Sequence, residues 1–319
     1  MLKRFFISLL LMWPTILMAQ KQNVWIDADT GNEVDDIYAI IRLLNEPKVK
    51  VVGLSSAHFN NPDLLTFDKW NQYDTKGIST IQISQKLNEE ILTKMKHDQV
   101  MHPQGADRQI GRAWGGFEPR PSEATIQLAQ FIKNMPKEEK LDIICLGALT
   151  NIASAVMTHP EIISRIRCYI LAAQYDATTG TWNKNEFNVR NDLNAFDYLM
   201  GLDSISLYVL PTTIAQSYRF KKDDTFKRLS RPIPAHQLPK ERWEETEATS
   251  EERTLWDLAL AEAYLNPHWT NIESRTVPPE NGQKKSRYSS TWILKNFSMI
   301  SGITWTNNDN PQISCFPWS

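Results

Sequence analysis

Between residues 24 and 44 the chain reads VWIDADTGNEVDDIYAIIRLL, and no other stretch limits the fold as strongly. Val24, Trp25 and Ile26 form a β-type apolar run that stops at Asp27-Ala28-Asp29. Beyond Gly31-Asn32, the apolar positions Ile37, Ala39, Ile40, Ile41, Leu43 and Leu44 suit a buried or amphipathic helix. The pattern predicts a strand, a turn and a helix. Asp27 and Asp29 then lie at the carboxyl end of a strand, where open α/β sheets gather their ligands, and Asp35 and Asp36 open the following helix.

Four carboxylates converging on one small volume repel one another unless a cation or shared protons compensate them. Helix-dipole and turn preferences are the alternative reading, and they account for either pair alone more readily than for all four flanking a Gly-Asn turn. A hard, oxygen-seeking ion is the simplest remedy. Calcium takes six to eight oxygens in flexible geometry, whereas magnesium takes fewer protein oxygens and keeps more water.

At 319 residues and 41% hydrophobic, the chain can bury a large core. A net charge of −2 and a pI near 6.3 give no electrostatic footprint for nucleic acid or an anionic membrane, so small-molecule chemistry is the default. The opening MLKRFFISLLLMWPTILMAQ has Lys3-Arg4, an apolar run broken by Pro14, then Ala19-Gln20, the layout of a secretory signal peptide. Residues 1–19 are therefore expected to be removed on export, leaving 20–319 as one α/β domain without a membrane span. No cysteine sits at the expected cut, so a lipid anchor is not predicted. The three cysteines, Cys145, Cys168 and Cys315, cannot all pair, and Cys145 and Cys168 lie in apolar runs that suit small buried residues.

Further along, 50–56 reads as a second strand buried on both faces. The pattern over 64–95 is interrupted helix, and 98–122, rich in Gly, Pro, Arg and His, reads as a loop or lid. A helix is expected over 122–135 with Ser122 as its cap. Residues 141–147 form an apolar strand, followed by a helix that Thr150-Asn151 could cap and that His159-Pro160 closes. Strand 167–171, a polar loop 175–185, helix 193–200 and strand 206–210 complete the alternation. A charged, proline-bearing stretch over 221–252 reads as an exposed helical insertion, and an apolar helix with Asp257 near its start follows. The tail beyond Pro278 reads as strand and turn, with Trp292, Phe297 and Trp305 as packing residues. Strand-helix repetition without long antiparallel runs predicts a single doubly wound, mostly parallel open sheet.

These stretches together resemble the inosine-uridine-preferring nucleoside hydrolase family. The family's DxDxGxDD opening is matched by Asp27-Ala28-Asp29-Thr30-Gly31 and Asp35-Asp36, with two extra residues after the glycine. Its GITTVxGN stretch is echoed by 53–60, its GPLTNIA segment by 147–153, its AEFN motif by 185–188, and its late HDxxA motif by Trp256-Asp257-Leu258-Ala259. The resemblance runs from residue 24 to about 267 in the family's order.

What the resemblance implies follows position by position. Asp29 would be both a calcium (Ca2+) ligand and the general base for the attacking water. Asp36, Asp257 and the Leu146 carbonyl would complete the protein's ligands. Asp35, Asn60, Asn183, Glu186 and Asn188 would hold ribose hydroxyls, and Asp27 would orient the ligating groups. The expected partner is a nucleoside or related riboside; nothing in the sequence fixes whether the chain forms a homo-oligomer.

The chemistry agrees with the residue types. Cleaving an N-glycosidic bond passes through an oxocarbenium-like sugar, which needs an activated water, polar groups on the hydroxyls and negative charge near the ring. One departure matters: Trp256 stands where many family members carry a histidine that protonates the leaving base, and an indole cannot do so. His58 and His102, in expected active-site loops, are the candidate substitutes. Two other readings compete. One is an exported sugar or nucleoside binder with weak or lost turnover; the other is a haloacid-dehalogenase-type phosphatase, with Asp27 as nucleophile and magnesium as the ion.

Overall fold

The computed structural model describes residues 21–59, 77–112, 115–229 and 234–281, with the backbone of 291–295. The leader 1–19, Asn60, Phe297, Trp305 and Cys315 lie outside the described residues, as does the Trp292 side chain.

The chain opens with β1 (Gln22–Ala28), β2 (Val49–Ser56), β3 (Leu141–Cys145) and β4 (Ile166–Leu171). A hairpin, β5 (Gln174–Asp176) and β6 (Thr181–Asn183), precedes β7 (Ser206–Leu210). A short ribbon pairs β8 (Arg219–Lys221) with β9 (Glu252–Thr254), and β10 (Asn271–Arg275) and β11 (Thr291–Lys295) come last. The main sheet runs β10-β11-β7-β4-β3-β1-β2, parallel throughout except for the β10 edge, which pairs antiparallel with β11. From β1 the chain goes to β2 on one side and then crosses to β3 on the other. The strand order therefore reverses at β1/β3, which opens a crevice at the carboxyl ends of those two strands.

The helices are α1 (Asp35–Leu44), α2 (Thr80–Met95), α3 (Glu123–Asn134), α4 (Thr150–Thr158) and α5 (Phe187–Asn191), then α6 (Leu193–Met200), α7 (Thr212–Ala215), α8 (Lys222–Arg228), α9 (Gln237–Glu247) and α10 (Trp256–Leu265). They cover both sheet faces, and the two-residue period of the strands divides the core accordingly. Val24, Ile26 and Ile144 pack with α1 and α10 on one face; Trp25, Ile143 and Cys145 pack with α3, α4 and α6 on the other. Cys145 and Cys168 are fully buried, in line with their apolar setting. Among the described residues no helix is long and apolar enough to cross a membrane.

Four expectations need correction. Segment 98–122 is irregular, as expected, but it is strapped down and is not a free lid. Ala106 N donates to Asn151 Oδ1 at 2.8 Å, Ile110 N to Asp192 Oδ2 at 2.9 Å, and a Cβ on Gly105 would meet the Ser56 carbonyl at 2.0 Å. The stretch over 175–185 folds into the β5/β6 hairpin, because the turn between Asp176 and Gly180 closes on the Asp176 side chain and on Gly180 in a left-handed conformation. The 221–252 insertion is helical but not merely exposed: Ala235, Leu238 and Trp243 enter the core. Thr150 and Asn151 do not cap α4. The Thr150 hydroxyl donates to Asp192 Oδ2 at 2.6 Å, and the Asn151 amide donates to Asp27 Oδ1 at 2.9 Å. Ser122 does cap α3, accepting from Thr125 N at 3.2 Å.

Candidate active site

A cavity of about 360 Å³ opens at the carboxyl end of the sheet, at the β1/β3 switch. Asp29, carried just past β1, lines it, with Asn32 N closing a turn onto the Asp29 carbonyl at 2.8 Å. The end of β3 comes very close to this carboxylate: a Cβ on Gly147 would lie 2.8 Å from Asp29 Cγ, so glycine is what lets Asp29 seat there. Asp35 and Asp36 enter at the start of α1, and Asp257 at the start of α10. The two helix N-termini meet in the cavity, and Asp35 Oδ2 accepts from Asp257 N at 3.1 Å, satisfying an open amide of α10. Positive helix ends partly offset the clustered negative charge.

That offset is incomplete. Burial first, then the charges of Asp36 and Asp35, push the Asp29 carboxyl well above the usual range. Burial and the Asp35 charge do the same to Asp36, and burial with Asp36, Asp35 and Asp29 does so to Asp257. Asp35 is raised by burial and held back by the Arg253 guanidinium. Asp29 Oδ2, Asp36 Oδ1 and Asp257 Oδ1 are buried without a hydrogen-bond partner among the described residues. Oxygens of Asp35, Asp36 and Asp257 lie within 4.8 Å of one another. Orphaned, mutually repelling carboxylate oxygens are a donor set suited to a hard divalent cation. This closest trio includes Asp35, assigned to ribose in the sequence reading, while Asp29 stands beside it on the cavity wall.

The remaining expected residues fall into place unevenly. Leu146 lines the cavity, and its carbonyl accepts from Asn188 Nδ2 at 2.7 Å; the same amide reaches the Leu171 carbonyl at 3.1 Å. Glu186 and Asn188 both line the cavity, but not as alternate residues of an extended segment. Glu186 caps α5, accepting from Asn188 N and Val189 N, and also takes Ala173 N at 3.3 Å. Burial pushes its carboxyl up to about 7 against those amides. Phe187 lines the cavity as well. Asn183 is not brought in: it sits exposed on β6, its amide on Gln174 Oε1 at 3.2 Å, and its hairpin partner Gln174 reaches the wall in its place. The hairpin, unrecognised in the sequence, is what turns Asn183 away. Trp256 is half-buried at the wall.

Asp27 stands behind the cavity, fully buried, accepting from Ser55 Oγ and from Asn151 Nδ2 at 2.9 Å, with its carboxyl raised by burial to about 7. An aspartate engaged in this way and absent from the wall is no nucleophile, which removes the phosphatase alternative. Neither candidate histidine lines the cavity. His58 Nε2 is 2.9 Å from Thr150 Oγ1, and His102 is exposed with Nδ1 on the Val100 carbonyl at 2.9 Å.

Sequence reasoning missed Glu33, Thr212, Thr213 and Gln216, all on the wall, and Arg253 behind Glu33. Two signals were present: Glu33 lies in the stretch lengthened by two residues after Gly31, and Thr212-Thr213 follow the end of a parallel strand after Pro211.

The fold is that of known nucleoside hydrolases. An "Inosine-Guanosine Nucleoside Hydrolase" superposes with a TM-score of 0.61 at 15% identity, covering 87% of this chain and 88% of that one. The plant enzyme PpNRh1 gives 0.59 at 17%, covering 88% and 89%. By sequence, the "Probable uridine nucleosidase 2" of Arabidopsis thaliana is 27% identical over 198 residues, 60% of each protein. The "Pyrimidine-specific ribonucleoside hydrolase RihA" of Photobacterium profundum is 27% identical over 178 residues, 54% of each. The match thus spans about three-fifths of those relatives' length or less. Residues 24–289 match the family described as "Inosine-uridine preferring nucleoside hydrolase", most of the chain, and the chain belongs to that family.

Proposed function

We propose that the chain hydrolyses the N-glycosidic bond of ribonucleosides or related ribosides, releasing base and sugar, with calcium as its ion. The observation that carries this is the meeting of Asp29, Asp35, Asp36 and Asp257 with Glu186 and Asn188 in one cavity at the sheet's switch point. Asp36 and Asp257, with Asp29 or Asp35 and the Leu146 carbonyl, would hold the ion, whose charge would acidify a water and draw the sugar hydroxyls into place.

Asp29 is the base for the attack. Its Oδ2 has no partner among the described residues, so it is free to take a proton from water as the water oxygen bonds to the anomeric carbon. The electron pair of the breaking bond goes to the base nitrogen. Glu186 and Asn188 position the sugar, and the surrounding carboxylates favour the positive charge growing on its ring. No histidine lines the cavity among the described residues, and Trp256 cannot donate a proton to the departing base. That feature favours ribosides with good leaving groups. It also favours, as a second reading, a binder with weak turnover.

Export rests on the basic, apolar, Ala19-ended leader alone, and N-terminal sequencing of protein recovered outside the cytoplasm tests it. The function is tested with a panel of ribonucleosides and activated ribosides, scored for released sugar after chelation and after return of calcium. Sugar release restored by calcium is expected; tight binding without release on any riboside would establish the binder.

A further inference from the structure

Glu33 is the residue the two-residue extension delivers to the cavity wall. Its Oε2 accepts from Arg253 Nη2 at 2.6 Å, and its Oε1 accepts no hydrogen bond among the described residues. The Glu33 side chain is 29% exposed while that of Arg253 is 5% exposed, so a buried arginine braces a carboxyl group that lines the cavity. Arg253 is itself fixed, its guanidinium 5.6 Å over the Trp243 ring. A second arginine of the same segment, Arg242, donates to the Gly31 carbonyl at 2.6 Å. The 221–254 segment therefore anchors the extended turn at two points. Three residues after Arg253 the chain presents Trp256 to the same cavity.

A half-buried indole and a braced carboxyl acceptor on the same cavity wall suit a flat heterocycle whose face stacks and whose edge carries an N–H. The sugar hydroxyls already have Glu186, Asn188 and the aspartates. We propose that Glu33, held by Arg253, determines specificity by accepting a hydrogen bond from a ring N–H of the leaving base. Arg253 is the positioning residue. The inference rests on the nucleoside-hydrolase reading above.

The test compares kcat/KM for uridine with 3-methyluridine, inosine with 1-methylinosine, and a nitrophenyl riboside that has no N–H edge. The unmodified chain should prefer each parent nucleoside over its N-methyl form by roughly threefold to a hundredfold, the range of one hydrogen bond to a neutral or charged acceptor. Glu33→Gln keeps an acceptor for Arg253 and should collapse that preference, with a loss on uridine about tenfold greater than on the nitrophenyl riboside. Arg253→Lys keeps a cation but not the planar fork, and should lower the preference chiefly through KM while calcium affinity in calorimetry holds. Equal losses on all substrates, or a preference that survives in Glu33→Gln, would overturn the proposal. If the unmodified chain cleaves none of these ribosides, the hydrolase reading fails by itself. Calorimetric affinities for the same methylated pairs, in unmodified chain and Glu33→Gln, then decide the role of Glu33.

Discussion

Arg42 Nε donates to Glu262 Oε1 at 2.8 Å and so ties the body of α1 to the body of α10. Arg42 also holds Glu46 at 2.9 Å, and Asn266 Nδ2 reaches Glu262 Oε2 at 2.7 Å. The helices joined here are those whose first turns carry Asp35, Asp36 and Asp257. Removing one member of a buried pair strands the other charge and costs about 3–5 kcal/mol, whereas an apolar pair of similar volume can replace both at little cost. Glu262→Ala should lower the denaturant midpoint and weaken calcium binding together, and Arg42→Met with Glu262→Leu should recover most of the midpoint. An unchanged midpoint in the single variant would dissociate this bridge from the site.

Asp36→Asn should abolish tight calcium binding, read by calorimetry, and should stabilise the metal-free protein near neutral pH. The sign follows from the raised carboxyls of Asp29, Asp36 and Asp257. Groups raised above their unfolded value favour the fold fully below that value, near 4, and lose their contribution as pH climbs. Metal-free protein should therefore melt earlier as pH rises above about 4, and calcium should restore the melting temperature in the unmodified chain but not in Asp36→Asn.

Asn188→Ala should cost kcat as well as affinity. The amide holds the Leu146 and Leu171 carbonyls at the ends of β3 and β4, and a hydroxyl contact at this wall strengthens as the sugar ring flattens. Steady-state kinetics separate the outcomes: a variant with raised KM and intact kcat would mean binding that is uniform between ground and transition state.

Asp192 ties the 98–122 strap to α4 and α6, accepting from Ile110 N, Thr150 Oγ1 and Ala195 N, and burial raises its carboxyl to about 6. Its contribution to stability should be full below about 4 and lost as pH rises to about 6, with a slope of up to about 1.4 kcal/mol per pH unit. Asp192→Asn should be less stable at neutral pH, since an amide nitrogen replaces one of the two oxygens that accept these three hydrogen bonds, and its pH profile should lack that slope. Chemical denaturation at a series of pH values reads both.

Cleavage of inosine should be slow relative to a nitrophenyl riboside, and Trp256→His should narrow the gap by improving the nucleoside. General-acid help contributes about 10²–10⁴-fold, while stacking on an indole offers about tenfold at most. Comparable rates for both substrates in the unmodified chain would reveal a donor other than Trp256, and single His→Ala variants at His58 and His102 would show whether it is one of them.

Strand and helix alternation was legible because period and length speak for themselves where one face of an element is buried: helix Leu193–Met200 and strand Ser206–Leu210 fall where the pattern puts them. The acids at the ends of β1 and the starts of α1 and α10 were equally legible, since a strand end and a helix start fix where a side chain emerges. What escaped depends on contacts distant in sequence. Asn183 was misplaced because a short hairpin shows little in composition. Glu33 was invisible as a wall residue because its partner Arg253 lies 220 positions away. Glu186 and Asn188 were read on one face of an extended segment, and reach one cavity through a capped helical turn instead.

The Asp35 to Asp257 contact spans 222 positions, so no early portion of the chain can assemble this pocket. A ribosome adding about 5–20 residues per second takes roughly eleven to forty-five seconds to travel between them. Throughout that interval Asp29, Asp35 and Asp36 have been synthesised without the helix that closes over them. The cavity wall is thus incomplete until the late helix arrives, and a translation product stopped before residue 256 carries most of the sheet without the Asp257 side of the cavity.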